Sequence, residues 1–299
     1  MTAGRLTRRR LPLMPDNLLN KRTTGVNPTW CPGCGNFGIL GAIKASFDQL
    51  KIEPQQAVVV YDIGCSGNMA DFVYSYGFHS LHGRALPVGA GIKLSNHSLK
   101  VLNIIGDGGC FGEGVGHLVG IAKGNHDMTV LTHNNFLYSL TTGQKSPTTP
   151  KGVKTPSTPE GSLDEPVNPL GLAIINQATF VARGFAGDIP HLTQLLTAAL
   201  SHRGFALLDV LQPCPTYNQD RPYNWYREHI YKLEETDYQP TDRLKAIAKT
   251  MEEEKLPIGI FFKESKPTYH QQINSLKTAT LISQSNGTVD LTSALSQLR

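Results

Sequence analysis

Short apolar runs alternate along this chain with stretches whose apolar residues recur at helical spacing. Residues 57–62, 100–105, 129–133 and 205–211 are brief, nearly continuous aliphatic runs of strand length. Runs of that kind mark strands buried on both faces. Between them Ile39, Leu40, Ile43, Phe47 and Leu50 keep helical spacing, as do Val115, Leu118, Val119 and Ala122, and again Leu192, Leu195, Leu196, Ala199 and Leu200. The last of these stretches follows Asp188 and Pro190, a capping side chain and a first-turn proline. Strands alternating with helices predict an α/β fold, a parallel sheet with helices on both faces. The ligand site of such a sheet lies at the carboxyl ends of its strands.

Two regions break the alternation. Residues 143–171 carry Pro147, Pro150, Pro156, Pro159, Pro166 and Pro169 and form a loop long enough to be functional, a covering or docking segment. After Cys214 the chain turns aromatic and charged. There Asp242 is expected to cap a helix running to about Lys255, Pro257 to end it, and 258–262 to form a short strand. The polar end holds one short amphipathic piece, 291–298. The expected organisation is a basic extension over 1–27, a cofactor- and cluster-binding domain over 28–220, a C-terminal extension packed on it over 221–275, and a polar tail over 276–299.

Composition narrows the function classes. With 299 residues, 39% hydrophobic and 17% charged, the chain can bury a core and is not disordered as a whole. A net charge of +4 does not indicate nucleic acid. Apolar runs such as Ala57-Val58-Val59-Val60 are too short to span a membrane. Arg5, Arg8, Arg9 and Arg10 cluster near the start, with no apolar core behind them of the kind a secretory signal has, so they read as a solvated tail and the protein as cytoplasmic. The five cysteines are then metal or redox ligands before they are disulfides.

Ile104-Ile105-Gly106-Asp107-Gly108-Gly109 follows a strand and precedes a helical pattern. Glycines there let the backbone approach a phosphate, and Asp107 can hold a divalent cation. Asn134-Asn135 ends the strand one crossover further on, so neighbouring strands deliver Asp107 and Asn135 to the same sheet edge. A carboxylate, an amide oxygen and a backbone carbonyl form an incomplete oxygen shell, which Mg²⁺ fills with diphosphate oxygens. Cys31-Pro32-Gly33-Cys34 is a chelating loop, and Cys65 and Cys214 each follow a strand. Four thiolates suit a [4Fe–4S] cluster and also suit structural zinc, although zinc ribbons usually bring a second Cys-x-x-Cys pair. The fifth, Cys110, reads as a small buried residue behind the phosphate turn.

The Gly-Asp-Gly … Asn-Asn spacing resembles the motif of thiamine-diphosphate enzymes, and this resemblance implies Asp107, Asn135 and the carbonyl of Leu137 as ligands of Mg²⁺. Trp30-Cys31-Pro32-Gly33-Cys34-Gly35-Asn36 resembles the opening of the β subunits of 2-oxoacid:ferredoxin oxidoreductases. Asp62-Ile63-Gly64-Cys65-Ser66-Gly67, Gly77-Phe78-His79-Ser80-Leu81-His82-Gly83-Arg84-Ala85-Leu86-Pro87, Tyr138-Ser139-Leu140-Thr141-Thr142-Gly143-Gln144 and Gln212-Pro213-Cys214-Pro215-Thr216 continue the likeness in order. It implies one [4Fe–4S] cluster on Cys31, Cys34, Cys65 and Cys214, and thiamine diphosphate contacts from Ile63, Gly64, Cys65, Ser66, His82, Gly108, Gly109, Ser139 and Leu140. The implied reaction is oxidative decarboxylation of a 2-oxo acid to acyl-coenzyme A and carbon dioxide, with one-electron transfers through the cluster to ferredoxin, or the reverse carboxylation. Similarity over 82–91 favours 2-oxoglutarate; pyruvate and branched-chain or indolepyruvate substrates are the alternatives, and a zinc-stabilised non-catalytic scaffold is the alternative of another class. Only the diphosphate module is found here. An α subunit, in an αβ or (αβ)₂ assembly, is therefore expected to carry the aminopyrimidine module, the activating Glu and most of the coenzyme A site, and the 143–171 loop and the tail are candidate contacts with it. Two departures stand out. Many members have Asp after the Gly-Asp-Gly turn, where this chain has Gly109 and Cys110, and a basic residue after Gly-Cys-Ser-Gly, where it has Asn68. His79, His117 and His133 receive no role.

Overall fold

Each apolar run of the sequence becomes a strand of one eight-stranded sheet. The computed structural model describes residues 23–284 and 291–297; Arg5, Arg8, Arg9, Arg10 and Leu298 lie outside them. In chain order the elements are α1 (Asn36–Gln49), β1 (Ala57–Tyr61), β2 (Tyr76–His79), α2 (Ala85–Ser95), β3 (Lys100–Gly106), α3 (Val115–Lys123) and β4 (Met128–Asn134). The hairpin β5 (Leu137–Tyr138) and β6 (Gln144–Lys145) follows, then α4 (Pro169–Ile175), β7 (Phe180–Phe185), α5 (Ile189–Ser201) and β8 (Phe205–Leu211). The chain continues with α6 (Tyr223–His229), β9 (Ile230–Lys232), α7 (Arg243–Lys249), β10 (Leu256–Lys263) and α8 (Thr292–Ser296). The sheet order is β2-β1-β3-β4-β8-β7-β10-β9. Every neighbouring pair is parallel except β7 and β10.

Alternate residues of the central strands feed two cores. Leu102, Ile104, Leu131, Ala182 and Leu208 meet Ile39, Ile43 and Phe47 of α1 and Leu192, Leu195 and Leu196 of α5 on one face. Val101, Ile105, Val130, Val181 and Leu207 meet Leu86 of α2, Leu118 and Ile121 of α3 and Leu170 and Ile174 of α4 on the other. Burial on both faces is the physical reason these strands read as continuous apolar runs. The fold class is therefore α/β, a mostly parallel sheet with helices on both faces. Among the described residues no helix is long and apolar enough to cross a membrane.

Several elements differ from the sequence expectation. β2 has no apolar run to mark it, because it lies at the sheet edge with all four residues exposed. β7 is obscured in the sequence by Arg183 in its middle. The helix behind Asp242 stops at Lys249 rather than near Lys255. Its end is held when Asn168 Nδ2 donates to the Thr250 carbonyl at 3.1 Å. Pro257 is accordingly no helix stop. It lies inside β10, buried, opposite Tyr231.

Asp188 does cap α5. Its carboxylate accepts the His191 N–H at 3.1 Å and pairs with Lys232 at 2.8 Å. Losing the cap in Asp188→Ala is expected to cost about 1 kcal/mol, measured as a lower denaturant midpoint with unchanged slope; an unshifted midpoint would contradict this role.

Candidate functional site

The register brings the carboxyl ends of the central strands level. Gly106 pairs with His133, and Asn134 with Leu211. From β1 the chain steps outward to β2 and returns to β3 on the other side of β1, so β1 and β3 flank a topological switch point, where parallel sheets open a crevice. A cleft of about 530 Å³, partly open to solvent, lies there. Ile63, Gly64, Cys65 and Ser66 line it from the end of β1, Asp107, Gly108 and Gly109 from the end of β3, His82 from the turn before α2, and Leu137, Ser139 and Leu140 from the corner after β4. Asn135 is not in the lining. Its amide oxygen lies behind, accepting the Leu137 N–H at 3.0 Å and the Ser139 hydroxyl at 2.9 Å.

The corner that presents these residues is strained. Phe136 has φ 66°, a conformation bulky side chains rarely adopt. It is held by the Thr149 hydroxyl, which donates to the Phe136 carbonyl, and by Arg221, whose guanidinium sits 4.6 Å from the ring centre.

Asp107 is fully enclosed. The hydroxyls of Ser146 and Thr148 both lie 2.6 Å from its Oδ2. Burial pushes its carboxyl up to about 6, the two hydroxyls act against that rise, and the nearby Asp209 adds to it. Thr148 Oγ1 also lies 3.1 Å from Asn134 Oδ1, while Asn134 Nδ2 donates to Asp209 Oδ1 at 3.2 Å. Asp209 is in turn paired with Arg183 Nε at 3.2 Å. The long proline-rich segment thus folds back over the strand ends. It is braced by an N–H···O bond from Val167 to Pro147 at 2.9 Å, another from Gly152 to Ser162 at 2.7 Å, and the ion pair of Lys145 with Asp164.

Asp62, Glu113 and Tyr138 also line the cleft, and sequence reasoning alone misses all three. Asp62 follows β1 directly, and its two oxygens accept the Gly83 N–H at 2.9 and 3.2 Å. Burial pushes its carboxyl up to about 6, opposed by the N–H groups of Ile63 and Gly83 and reinforced by Glu113. A charged residue ending an apolar strand is the signal that could have found it. The glycines of the turn have a different immediate reason from the one expected. A Cβ on Gly108 would come 2.0 Å from the Tyr138 ring, and one on Gly109 would come 1.9 Å from Asp62 Oδ2. Their bareness lets these two side chains close on the turn.

Three segments bring the cysteines together. The Cys65 carbonyl accepts Trp30 Nε1–H at 2.8 Å and Asn36 Nδ2–H at 3.2 Å. The Gly35 N–H donates to the Pro213 carbonyl at 3.0 Å, and Gln212 Nε2 reaches Cys34 Sγ at 3.5 Å. Burial raises the Cys65 thiol to about 11, with Cys34, Cys214 and Cys31 adding to the rise, so the four sulfurs share one electrostatic neighbourhood. Among the described residues no three His, Cys, Asp or Glu side chains are gathered to hold a single metal ion. Cys110 sits fully buried in the π-helical turn Gly109–Glu113, where burial pushes its thiol far above the ordinary range. His133 packs behind the cysteine loop with Nδ1 2.7 Å from Asn36 Oδ1, and burial lowers it to about 3. His79 Nε2 lies 2.9 Å from the Asp62 carbonyl.

Comparisons with known proteins match this arrangement. A family model described as "Thiamine pyrophosphate enzyme, C-terminal TPP binding domain" matches residues 62–210, and a model of the C-terminal part of the pyruvate ferredoxin oxidoreductase beta subunit matches 214–278. The chain is 46% identical to the 2-oxoacid:ferredoxin oxidoreductase subunit beta of Saccharolobus solfataricus, over 82% of this chain and 85% of that one. It is 33% identical to the 2-oxoglutarate synthase subunit KorB of Archaeoglobus fulgidus, over 86% and 92%. A solved structure, "2-oxoglutarate:ferredoxin oxidoreductase from Magnetococcus marinus with 2-oxoglutarate, coenzyme A and succinyl-CoA bound", superposes with a TM-score of 0.87 at 32% identity, covering 98% of this chain and all of the other.

The raised Asp62 carboxyl has a measurable sign. Between the ordinary carboxylate value and about 6 the folded chain holds a proton that the unfolded chain has lost. The stability this group contributes is thus full at low pH and is lost as pH rises through about 6. Asp62→Asn cannot ionise, so thermal unfolding is expected to show it gaining on the unaltered protein from about pH 4 to 7 and holding a constant lead above that; a difference independent of pH would contradict the assignment.

Proposed function

Because this chain belongs to the β subunits of the 2-oxoacid:ferredoxin oxidoreductases, we propose that its cleft holds thiamine diphosphate with Mg²⁺, and that Cys31, Cys34, Cys65 and Cys214 hold a [4Fe–4S] cluster beside it. The observation that carries this reading is the double position of Cys65. It lines the cleft and shares its electrostatic neighbourhood with the other three thiols. Carbon–carbon bond cleavage and an exit for electrons then adjoin in one polypeptide.

The donor sets fit these groups. Asp107 is a buried carboxylate whose hydroxyl contacts both use Oδ2, so Oδ1 is the oxygen for a cation in the cleft. Asn135 and the Leu137 carbonyl are the proposed further ligands, Asn135 already oriented by Leu137 and Ser139. Mg²⁺ takes such oxygens together with those of a diphosphate. Gly108 and Gly109, at the start of the π-helical turn, are proposed to meet the diphosphate through their backbone. Ile63, Gly64, Ser66, His82 and Leu140 are proposed to position the cofactor along the wall. Four thiolates suit zinc as they suit a [4Fe–4S] cluster; the cluster is favoured because the relatives are named as oxidoreductases that act with ferredoxin.

Bound thiamine diphosphate supplies a carbanion for the 2-oxo carbon and a sink for the electron pair left when carbon dioxide departs. The protein's part is placement and charge. Asp107 and Asn135 would fix the cation, the folded-back 143–171 segment would keep water from it, and Cys31, Cys34, Cys65 and Cys214 would hold a centre able to exchange single electrons with ferredoxin, in either direction of the reaction. The acyl group is proposed to pass to coenzyme A, bound largely by an α subunit that also carries the activating Glu. 2-Oxoglutarate is the favoured substrate, supported by the KorB relative and by the Magnetococcus enzyme.

Anaerobically purified protein is expected to contain about four irons with labile sulfide per chain. Cys34→Ser is expected to lose the visible absorbance and reduce ferredoxin only at background rate. Full ferredoxin reduction in that variant, or one zinc in place of iron, would refute the cluster. In assays with coenzyme A, ferredoxin and the α subunit present, kcat/KM for 2-oxoglutarate is expected to exceed that for pyruvate by roughly tenfold or more; a preference for pyruvate would overturn the substrate assignment alone.

A further inference from the structure

The amino ends of the strands carry a second groove, on the opposite edge of the sheet from the cleft. Lys100 opens β3, Asp127 precedes β4 and Arg203 precedes β8, while Lys93 comes from the last turn of α2, His97 from the turn after it and His270 from a one-turn helix beyond β10. They line an open groove of about 710 Å³.

Its charge is unbalanced in one direction. Asp127 is the one carboxylate in the lining, and it is already matched. Lys93 Nζ lies 2.7 Å from Oδ2, and the Gly204 N–H donates to Oδ1 at 3.1 Å. Lys93 is also spent, its remaining contact being the Leu99 carbonyl at 2.8 Å. Two cations are left over. Lys100 Nζ donates only to the Leu200 carbonyl, at 3.0 Å. Burial lowers its ammonium below the usual lysine range; Asp127 acts against that fall, and Lys93 and Arg203 add repulsion. Arg203 is exposed and has no ion-pair partner among the described residues. Beside them the rings of His97 and His270 stack at 4.7 Å, nearly parallel at 7°. His97 Nδ1 is buried without a hydrogen-bond partner.

Two cations without a counter-charge of their own in one groove specify a ligand that is an anion. An ammonium and a planar guanidinium flanking a polar groove favour a tetrahedral oxyanion that can take several charge-assisted hydrogen bonds at once. We infer that this groove binds an oxyanion of the phosphate class, free or as the phosphate end of a nucleotide, between Lys100 and Arg203. Such a site is separate from the proposed cofactor cleft and does not depend on the function proposed there.

The test is calorimetric titration of the protein with inorganic phosphate, pyrophosphate and ADP in the absence of Mg²⁺ and thiamine diphosphate, because the proposed cleft needs the cation to hold a diphosphate and the cofactor's own diphosphate would compete for the groove. One anion per chain is expected, with affinity falling at least tenfold in Arg203→Gln and again in Lys100→Gln. Arg203 is exposed, so its variant keeps the fold even if the Lys100 variant does not. Tighter binding of ADP than of pyrophosphate identifies the ligand as a nucleotide, and the reverse order as a free oxyanion; both support the site. No binding by the unaltered protein, or affinity that neither substitution changes, overturns it. Because the comparison is between variants outside the cleft, it decides this site even if thiamine diphosphate fails to bind.

Discussion

The site depends on keeping one carboxylate buried. Asp107 is enclosed at the end of β3, and an enclosed charge survives only if its neighbours replace the water it has lost. Ser146 and Thr148 provide hydroxyls, but they come from a segment with little regular structure of its own. That segment must be held in place by further ties, to Pro147 from Val167 and to Phe136 from Thr149. Behind it the Arg183–Asp209 pair balances a second buried carboxylate, and Asn134 links that pair to Thr148. A network of this kind is costly when broken, because removing any member leaves another polar group unsatisfied. The strand register, the loop and the strained Phe136 corner all serve this single requirement.

The cysteines follow a different logic. Their thiols are held together not by direct bonds but by the backbone around them. Trp30 and Asn36 grip the Cys65 carbonyl, and Gly35 grips Pro213. Gly35 has no room for a side chain there, since a Cβ would lie 2.7 Å from Gln212. Geometry is thus set by carbonyl and amide groups that do not change with redox state, so the sulfurs are left for chemistry. This is the preorganisation that the proposed cluster would need.

Much of this was legible in the chain. The central strands announced themselves because both of their faces are buried, Asp188 announced α5, and Cys65, Cys214 and Asp107 fell just past strand ends that the sheet then brought level. What could not be read was whatever depends on a partner distant in sequence. Arg183 interrupts the apolar stretch that becomes β7, and only its pairing with Asp209 on the neighbouring strand accounts for it. Ser146 and Thr148 looked like ordinary loop residues, and only the closure of the loop turns them toward Asp107. Tyr76–His79 gave no apolar signal because it is exposed at the sheet margin. Pro257 carried a strong local signal for a helix stop that sheet pairing overrode.

The position of Thr148 also has a temporal meaning. Its hydroxyl faces Asp107 and Asn134, which precede it, but the seat is complete only when Asp209 on β8 has paired with Asn134, and β8 is made well after the segment itself. A nascent chain leaving the ribosome can therefore make the segment's own ties to Asp107 and Phe136 before its anchorage is complete. A truncated translation product lacking β8 would keep every proposed magnesium ligand and those ties, but not the Asp209 carboxylate that orients the Asn134 amide toward Thr148.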